Sequence, residues 1–205
     1  MKEYHKINSI FKRSIDGKKM LFGEYSVPEF DYLKNNQWLF TEKVDGTNIR
    51  VIWDGVKVLI KGKTDNAQIH WQLIEKIQAL LPVYKFTDIF KDIPLCLYGE
   101  GYGAGIQKGG GLYKLEKDFV LFDVMINETW LERSNCEDVA EKLGIEIVPI
   151  IGRGTLLDAQ VKVETGFVST WGNFIAEGLV IKPIIELCDR RGGRIITKIK
   201  HRDFK

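Results

Sequence analysis

The run 41-TEKVDGTNIR-50 places Lys43, Asp45, Gly46 and Asn48 within six residues, directly ahead of an apolar stretch. A lysine amine can attack as a nucleophile or neutralise phosphate oxygens as a cation, and a carboxylate offers hard oxygen donors to a metal. Glu100, Glu177, Lys182 and the pair Lys198/Lys200 follow along the chain, each at a strand or its end. Taken singly, each has a plainer reading. A lysine flanked by acids is ordinarily a solvated surface charge, and two lysines on one strand face make a solvated edge.

The elements that must carry these residues come next. In 49-IRVIWDGVKVLI-60 two β-rich runs flank Asp54-Gly55, the dipeptide favoured by a type I′ hairpin turn, so Lys43 lies on the loop entering a hairpin. Residues 68-QIHWQLIEKIQALLP-82 carry apolar side chains at 69, 73, 74, 77, 80 and 81, a helical stripe closed by Pro82. Ser134 and Glu137 form a capping box, and Gly144 stands where a C-terminal glycine belongs, predicting a helix over 135–143. Apolar runs at 95–98, 118–126, 145–150, 177–182 and 194–200 read as strands. Alternation in 177-EGLVIKP-183 sets Glu177, Leu179 and Ile181 on one face and Val180 and Lys182 on the other. In 194-RIITKIK-200, Arg194, Ile196, Lys198 and Lys200 share a face. Strands outnumber helices without βαβ alternation, which predicts an α+β fold of largely antiparallel sheets.

The glycine-rich 99-GEGYGAGIQKGGG-111 matches neither phosphate-binding motif it invites. No apolar helix follows Gly99-x-Gly101-x-x-Ala104, and Gly105 precedes Ile106 where a P-loop needs lysine. The expectation is a strand ending at Tyr98, with Glu100 on a flexible loop.

At 205 residues the chain needs no disulfide or metal to hold a core. Cys96, Cys136 and Cys188 are odd in number and form no Cys-x-x-Cys pair, which argues against a disulfide framework or zinc site and predicts three small buried hydrophobes. No run is long enough to span a bilayer and the N-terminus is too polar for a signal peptide, so the expected location is cytoplasmic, with no membrane partner. The net charge of +2 hides an asymmetry. Residues 189–205 hold seven Lys/Arg against two Asp, a balance of +5, leaving −3 over the other 188 residues. A basic C-terminal strip on a slightly acidic body suggests that something polyanionic meets that end, although on charge alone a solvated basic tail is the favoured reading.

Five segments in one order resemble the covalent nucleotidyltransferase superfamily, and specifically the nick-sealing branch of ATP-dependent RNA ligases. The Lys-x-(Asp/His)-Gly-x-Asn motif is similar to 43-KVDGTN-48, and the Gly-Glu motif to 99-GE-100. The aromatic strand ending in Phe-Asp is similar to 119-FVLFD-123, Glu-Gly-x-Val-Ile-Lys to 177-EGLVIK-182, and Lys-x-Lys to 198-KIK-200. The series spans residues 43–200 and overturns the surface-charge reading of Lys43.

The resemblance implies an ATP-grasp-like nucleotidyltransferase domain. Such ligases usually continue past Lys-x-Lys into a further domain that grips the nucleic acid, whereas the expectation here is a single domain over 1–205 with no separate C-terminal domain. It also implies that Lys43 attacks the α-phosphate of ATP to form lysyl-AMP, that AMP passes to a 5′-phosphate end, and that a 3′-hydroxyl then displaces it. Attack needs a neutral amine, which neighbouring cations and partial burial favour. Lys182, Lys198 and Lys200 would act with Lys43 in catalysis and contact the phosphates. Glu42, Asn48 and Lys63 would join the ATP contacts, with Lys63 standing where the family places an arginine. Glu100 would hold the ribose and Phe122, rather than Phe119, would stack on adenine. Asp45 and Glu177 would bind Mg²⁺ through its waters, with Mn²⁺ as an alternative. The implied partner is RNA or an RNA-containing duplex with 5′-phosphate and 3′-hydroxyl ends, met by a monomer in RNA repair. DNA ligases and GTP-dependent capping enzymes are the alternative within the superfamily, but they favour arginine where this chain has Asn48. A catalytically inactive nucleotide- or nucleic-acid-binding module is the alternative of another class, and the presence of every charged motif residue argues against it.

Overall fold

In the computed structural model, which describes residues 2–205, strands occupy most of the apolar runs and helices the 3.6-residue stripes. The elements begin with β1 (Asn8–Ser9), β2 (Phe11–Arg13), β3 (Met20–Tyr25), α1 (Pro28–Leu33), β4 (Trp38–Glu42), β5 (Thr47–Trp53) and β6 (Val58–Gly62). Then come α2 (Trp71–Leu80), α3 (Val83–Phe90), β7 (Leu95–Tyr102), α4 (Gly110–Tyr113), β8 (Asp118–Ile126), β9 (Thr129–Trp130) and α5 (Arg133–Leu143). The chain continues through β10 (Ile150–Gly154), α6 (Leu156–Thr165), β11 (Gly178–Pro183) and β12 (Thr197–Lys200), ending in a 3₁₀ turn at His201–Phe204. The α+β class with largely antiparallel sheets is as expected.

Two compact units divide the chain. The first takes in the N-terminal residues up to His5 and Asp45–Val148; the second takes in Lys6–Val44 and Pro149–Lys205. The boundary between Val44 and Asp45 runs through the 43-KVDGTN-48 motif.

The first unit is built on an antiparallel sheet in the order β6-β5-β7-β8-β9. Ile49, Val51, Trp53, Leu95, Leu97, Phe119 and Leu121 cover one face and meet Leu73, Ile77, Phe86, Cys136 and Leu143 from α2, α3 and α5. Each such side chain contributes about 1.5–3 kcal/mol relative to exposure, so this face anchors the sheet. Asn48, Arg50, Tyr98 and Glu100 alternate with these residues and belong to the opposite face.

The second unit holds a sheet in the order β1-β12-β11-β4-β10, antiparallel except for β1 beside β12, and the small β2-β3 pair. Trp38, Phe40, Leu179, Ile181 and Ile199 pack with Leu156, Ala159 and Val163 of α6.

Several local expectations shift. The β5–β6 hairpin forms, but Asp54 N donates to Lys57 O, so Gly55-Val56 is the central pair. Positive φ occurs only at its first member, Gly55 (98°), the sign pattern of type II′ rather than I′. Asp54 Oδ1 closes the loop by accepting from Val56 N and Lys57 N, both at 2.9 Å. Pro82 ends the first stripe but also caps a second helix, α3. Helix α5 starts earlier than the capping box proposed. Ser134 lies within it, and Glu137 pairs with Arg133 Nε at 2.8 Å instead of capping. Gly144 is left-handed, as expected (φ 64°, ψ 44°).

Strand β7 does not stop at Tyr98. It runs through Gly99 and Gly101 to Tyr102, so Glu100 sits in a strand and not on a flexible loop. The glycines read as loop residues, yet they make room: a Cβ on Gly99 would lie 2.3 Å from the Phe119 ring, and one on Gly101 2.3 Å from Leu73 Cδ2. Only Ile150 of the expected 145–150 strand enters a ladder, with Ile147 making an isolated bridge to Leu121. Cys96 and Cys136 are buried, whereas Cys188 is exposed on a hairpin. Among the described residues no helix is long and apolar enough to cross a membrane.

Candidate active site

In the second unit, register decides which charges meet. Val180 opposes Thr41 on β4 and Lys198 on β12; Gly178 opposes Lys200 and Lys182 opposes Leu39. Directly opposed residues share a face, so Lys182, Lys198 and Lys200 lie on one side with Thr41. Leu179, Ile181 and Ile199 cover the core on the other side. Lys43 extends this pattern one residue past β4, its N–H donating to Gly178 O at 3.0 Å.

Lys43 Nζ donates to Glu177 Oε2 at 2.7 Å and to Val44 O at 3.3 Å. The other Glu177 oxygen faces Lys200 Nζ at 2.5 Å. One carboxylate therefore bridges two ammonium groups, in side chains only 13–18% exposed. The alternation expected to seat Glu177 with Leu179 and Ile181 does not reach it. Glu177 precedes the first residue of β11, and its carboxylate turns to the lysines. Gly178 lets the strands close there, since a Cβ would lie 2.1 Å from Ile199 O. Lys182 is buried and Lys198 half-buried.

Glu42 is buried, and both its oxygens are engaged within this unit. They accept from Ser169 Oγ at 2.5 Å and from Thr170 N and Oγ1, each at 2.9 Å. Its side chain thus ties the 169–170 turn to the end of β4, immediately before Lys43. Sequence reading missed Ser169 and Thr170, because a contact across 127 residues leaves no local pattern.

In the first unit, Asn48 opposes Glu100 across β5 and β7, on the face away from the core. Gly46 passes so close that a Cβ would lie 2.2 Å from Gly101 O and 2.8 Å from Glu100 Cγ. Asn48 Oδ1 is buried with no hydrogen-bond partner among the described residues. An orphaned polar atom costs about 1–3 kcal/mol, and exchanging the amide's O and N would leave a donor in the same place. That is a feature expected of a group that meets a ligand. Asp45 is half-buried with Oδ2 against Gly109, 3.2 Å from where a Cβ there would sit.

Lys63 is exposed just past β6. Its bend is held by Arg50, which donates from Nε to Gly62 O (2.9 Å) and from Nη2 to Asp65 Oδ1 (2.8 Å). The hydrogen bond from Lys61, and then that from Arg50, hold the Asp65 carboxyl below its ordinary range. Sequence reading also missed Arg50. Its signal was a single charge inside the apolar run IRVIW.

The two phenylalanines separate cleanly. Phe119 is buried in the core beneath Gly99. Phe122 is the extra residue of a β-bulge, since Tyr98 opposes Asp123 while Gly99 opposes Leu121. Its half-buried ring meets the edge of Tyr4 at 5.0 Å and 72°, and Tyr4 OH donates to Asp123 Oδ2 at 2.5 Å.

The expected metal donors, Asp45 and Glu177, are hard carboxylates suited to Mg²⁺ or Mn²⁺, and they fall in different units. Among the described residues no three His, Cys, Asp or Glu side chains gather to hold a metal by themselves.

Residues 36–200 match the family model for RNA ligase. The chain belongs to the RNA ligase family. Its fold is similar to solved structures of Naegleria gruberi RNA ligase. One mutant with ATP and Mn superposes with a TM-score of 0.66 at 21% identity, covering 85% of this chain and 52% of that one. A second mutant with ATP and Mn gives 0.68 at 20% identity, covering 97% and 63%. The same ligase with PPi gives 0.67 at 20%, covering 96% and 61%. At this identity the likeness shows the shared fold alone, and this RNA ligase family chain spans between half and two thirds of the length of those structures.

Proposed function

We propose that this chain is an ATP-dependent RNA ligase working through a covalent lysyl-AMP, with residues 1–205 acting as one adenylyltransferase domain. The observation that supports this most is the convergence of Lys43 and Lys200 on Glu177, which lies 134 residues from Lys43. The Naegleria ligase structures with ATP and Mn and with PPi are consistent with it.

Lys43 Nζ attacks the α-phosphorus of ATP. The N–P bond forms as the bond to the bridging oxygen of the β-phosphate breaks, and pyrophosphate leaves with that electron pair. Attack requires Nζ to release its hydrogen bonds, and Glu177 Oε2, at 2.7 Å, is placed to take its proton. Lys182, Lys198 and Lys200 neutralise charge spread over the phosphates, which is the main requirement of such transfers. Glu100 hydrogen-bonds the ribose hydroxyls, Phe122 stacks on adenine, and Lys63 meets a phosphate from its exposed bend. Asn48 engages a phosphate of the nucleic acid. Asp45 and Glu177 would hold Mg²⁺ through water; when bound, this ion or Mn²⁺ supplies further charge neutralisation at phosphate oxygens.

AMP then passes to a 5′-phosphate end of RNA, and a 3′-hydroxyl displaces it to seal the strand. The setting is RNA repair by a cytoplasmic monomer.

Incubation with Mg²⁺ and ATP radiolabelled at the α-phosphate, followed by a denaturing gel, tests this reading. Wild type should carry label and Lys43→Ala none. Label retained by Lys43→Ala, or absent from wild type, overturns the assignment.

A further inference from the structure

The seven basic residues of 189–205 do not form one surface. Lys200 holds Glu177, and Lys198 shares its face. The Arg194 side chain is 2% exposed and clasps Glu186 with two parallel bonds, Nε to Oε2 and Nη2 to Oε1, both at 2.7 Å. Arg202 and Lys205 are exposed beyond β12. That leaves Arg190 and Arg191, both exposed and without an ion pair among the described residues.

Their setting is a braced hairpin between β11 and β12. Cys188 bridges Arg194, and Ile195 N donates to Leu187 O at 2.8 Å. Asp189 Oδ1 accepts from Arg191 N and Gly193 N, each at 2.8 Å, and Gly192 turns the chain at φ 78°. The Arg194–Glu186 clasp ties the base, so Arg190 and Arg191 project from a backbone held by hydrogen bonds. A bidentate pair of this kind is a structural investment, and a merely solvated loop has no need of it.

Position indicates the partner. Lys43, Glu177 and Lys200 stand at the Gly178 end of β11, and the hairpin begins beyond Pro183 at the other end. At about 3.3 Å per residue those ends are about 17 Å apart. A mononucleotide held at Lys43 does not span that distance. A nucleic-acid strand does, since it presents a phosphate about every 3.4 Å of duplex axis, or about five over this length. We propose that Arg190 and Arg191 grip the phosphate backbone of the nucleic-acid substrate, away from the nucleotidyl-transfer step. The inference rests on the ligase reading for the nature of its partner.

Two readouts on Arg190→Ala/Arg191→Ala test it. Binding of a nicked RNA duplex bearing a 5′-phosphate should weaken about tenfold or more at low salt. The slope of log affinity against log salt should become shallower by about two, close to one per lost phosphate contact. Lysyl-AMP formation from ATP alone should stay within about twofold of wild type. Arg190→Lys/Arg191→Lys should keep most of the slope, because charge is retained. Unchanged affinity and slope in the alanine variant would overturn the proposal, as would a wild type that does not bind the duplex. Absence of lysyl-AMP in wild type would sink the ligase reading, yet the binding measurement would still decide the arginine pair.

Discussion

Glu177 Oε2 lies 2.7 Å from Lys43 Nζ, while Glu177 Oε1 lies 2.5 Å from Lys200 Nζ. One carboxylate thus holds the proposed nucleophile and a proposed phosphate-binding cation in a single geometry. Glu177→Ala should slow lysyl-AMP formation about 100-fold or more, the scale of losing a positioned proton acceptor. Glu177→Gln, which keeps an acceptor without the charge, should fall between that variant and wild type. Single-turnover labelling with ATP would measure both, and an unchanged rate would reduce Glu177 to a structural brace.

Gly46 is required for space, not for an unusual φ. Its missing Cβ would sit 2.2 Å from Gly101 O, a backbone atom that cannot swing aside. Gly46→Ala should therefore cost about 1–3 kcal/mol of stability and displace Glu100. Urea unfolding would read the first effect. A KM for ATP raised well beyond twofold would read the second.

Phe119 and Phe122 should fail in opposite ways. Phe119→Ala opens a cavity in the first unit's core and should cost about 3–5 kcal/mol, with little change in KM for ATP. Phe122→Ala should cost much less stability but raise KM about 2- to 10-fold, the scale of one aromatic contact. Reversed outcomes would transfer the stacking role to Phe119.

The N-terminus of α6 carries a complete capping box. Thr155 Oγ1 accepts from Asp158 N, and the Asp158 carboxylate accepts from Thr155 N at 2.8 Å. Thr155→Ala should cost about 1 kcal/mol. The backbone N–H of Thr155, and then its hydroxyl, hold the Asp158 carboxyl below its ordinary 3.8. Because the folded value is the lower one, its contribution is present above pH 3.8 and is lost as pH falls through the folded value. Asp158→Asn should abolish that part of the acid destabilisation in unfolding curves taken between pH 5 and 2.

Much of the site could be read locally. Alternation placed Lys198 and Lys200 on one face, and Lys182 opposite Leu179 and Ile181, because side-chain direction in a strand has period two whatever the rest of the fold does. The same rule failed at Glu177, which lies just outside its strand. It also misled at 99–102, where glycine's low strand propensity hid two positions that are glycine because Phe119 and Leu73 fill the space above them. Ser134 and Glu137 had the letters of a capping box but lay inside the helix they were meant to start.

By itself the sequence determined which residue types were available, their order, and the alternation that sets Lys198 and Lys200 on one face of their strand. Those are consequences of covalent order and local periodicity. Tertiary structure alone decided that Glu177 binds both Lys43 and Lys200, that Glu42 is spent on Ser169 and Thr170, that Phe122 rather than Phe119 leaves the core, and that Arg194 braces a hairpin tipped by Arg190 and Arg191. Each of these depends on strand register or on close approach between distant segments. Such relationships are settled by which packing buries the most apolar surface while pairing the charges it buries, and no short window of sequence contains them.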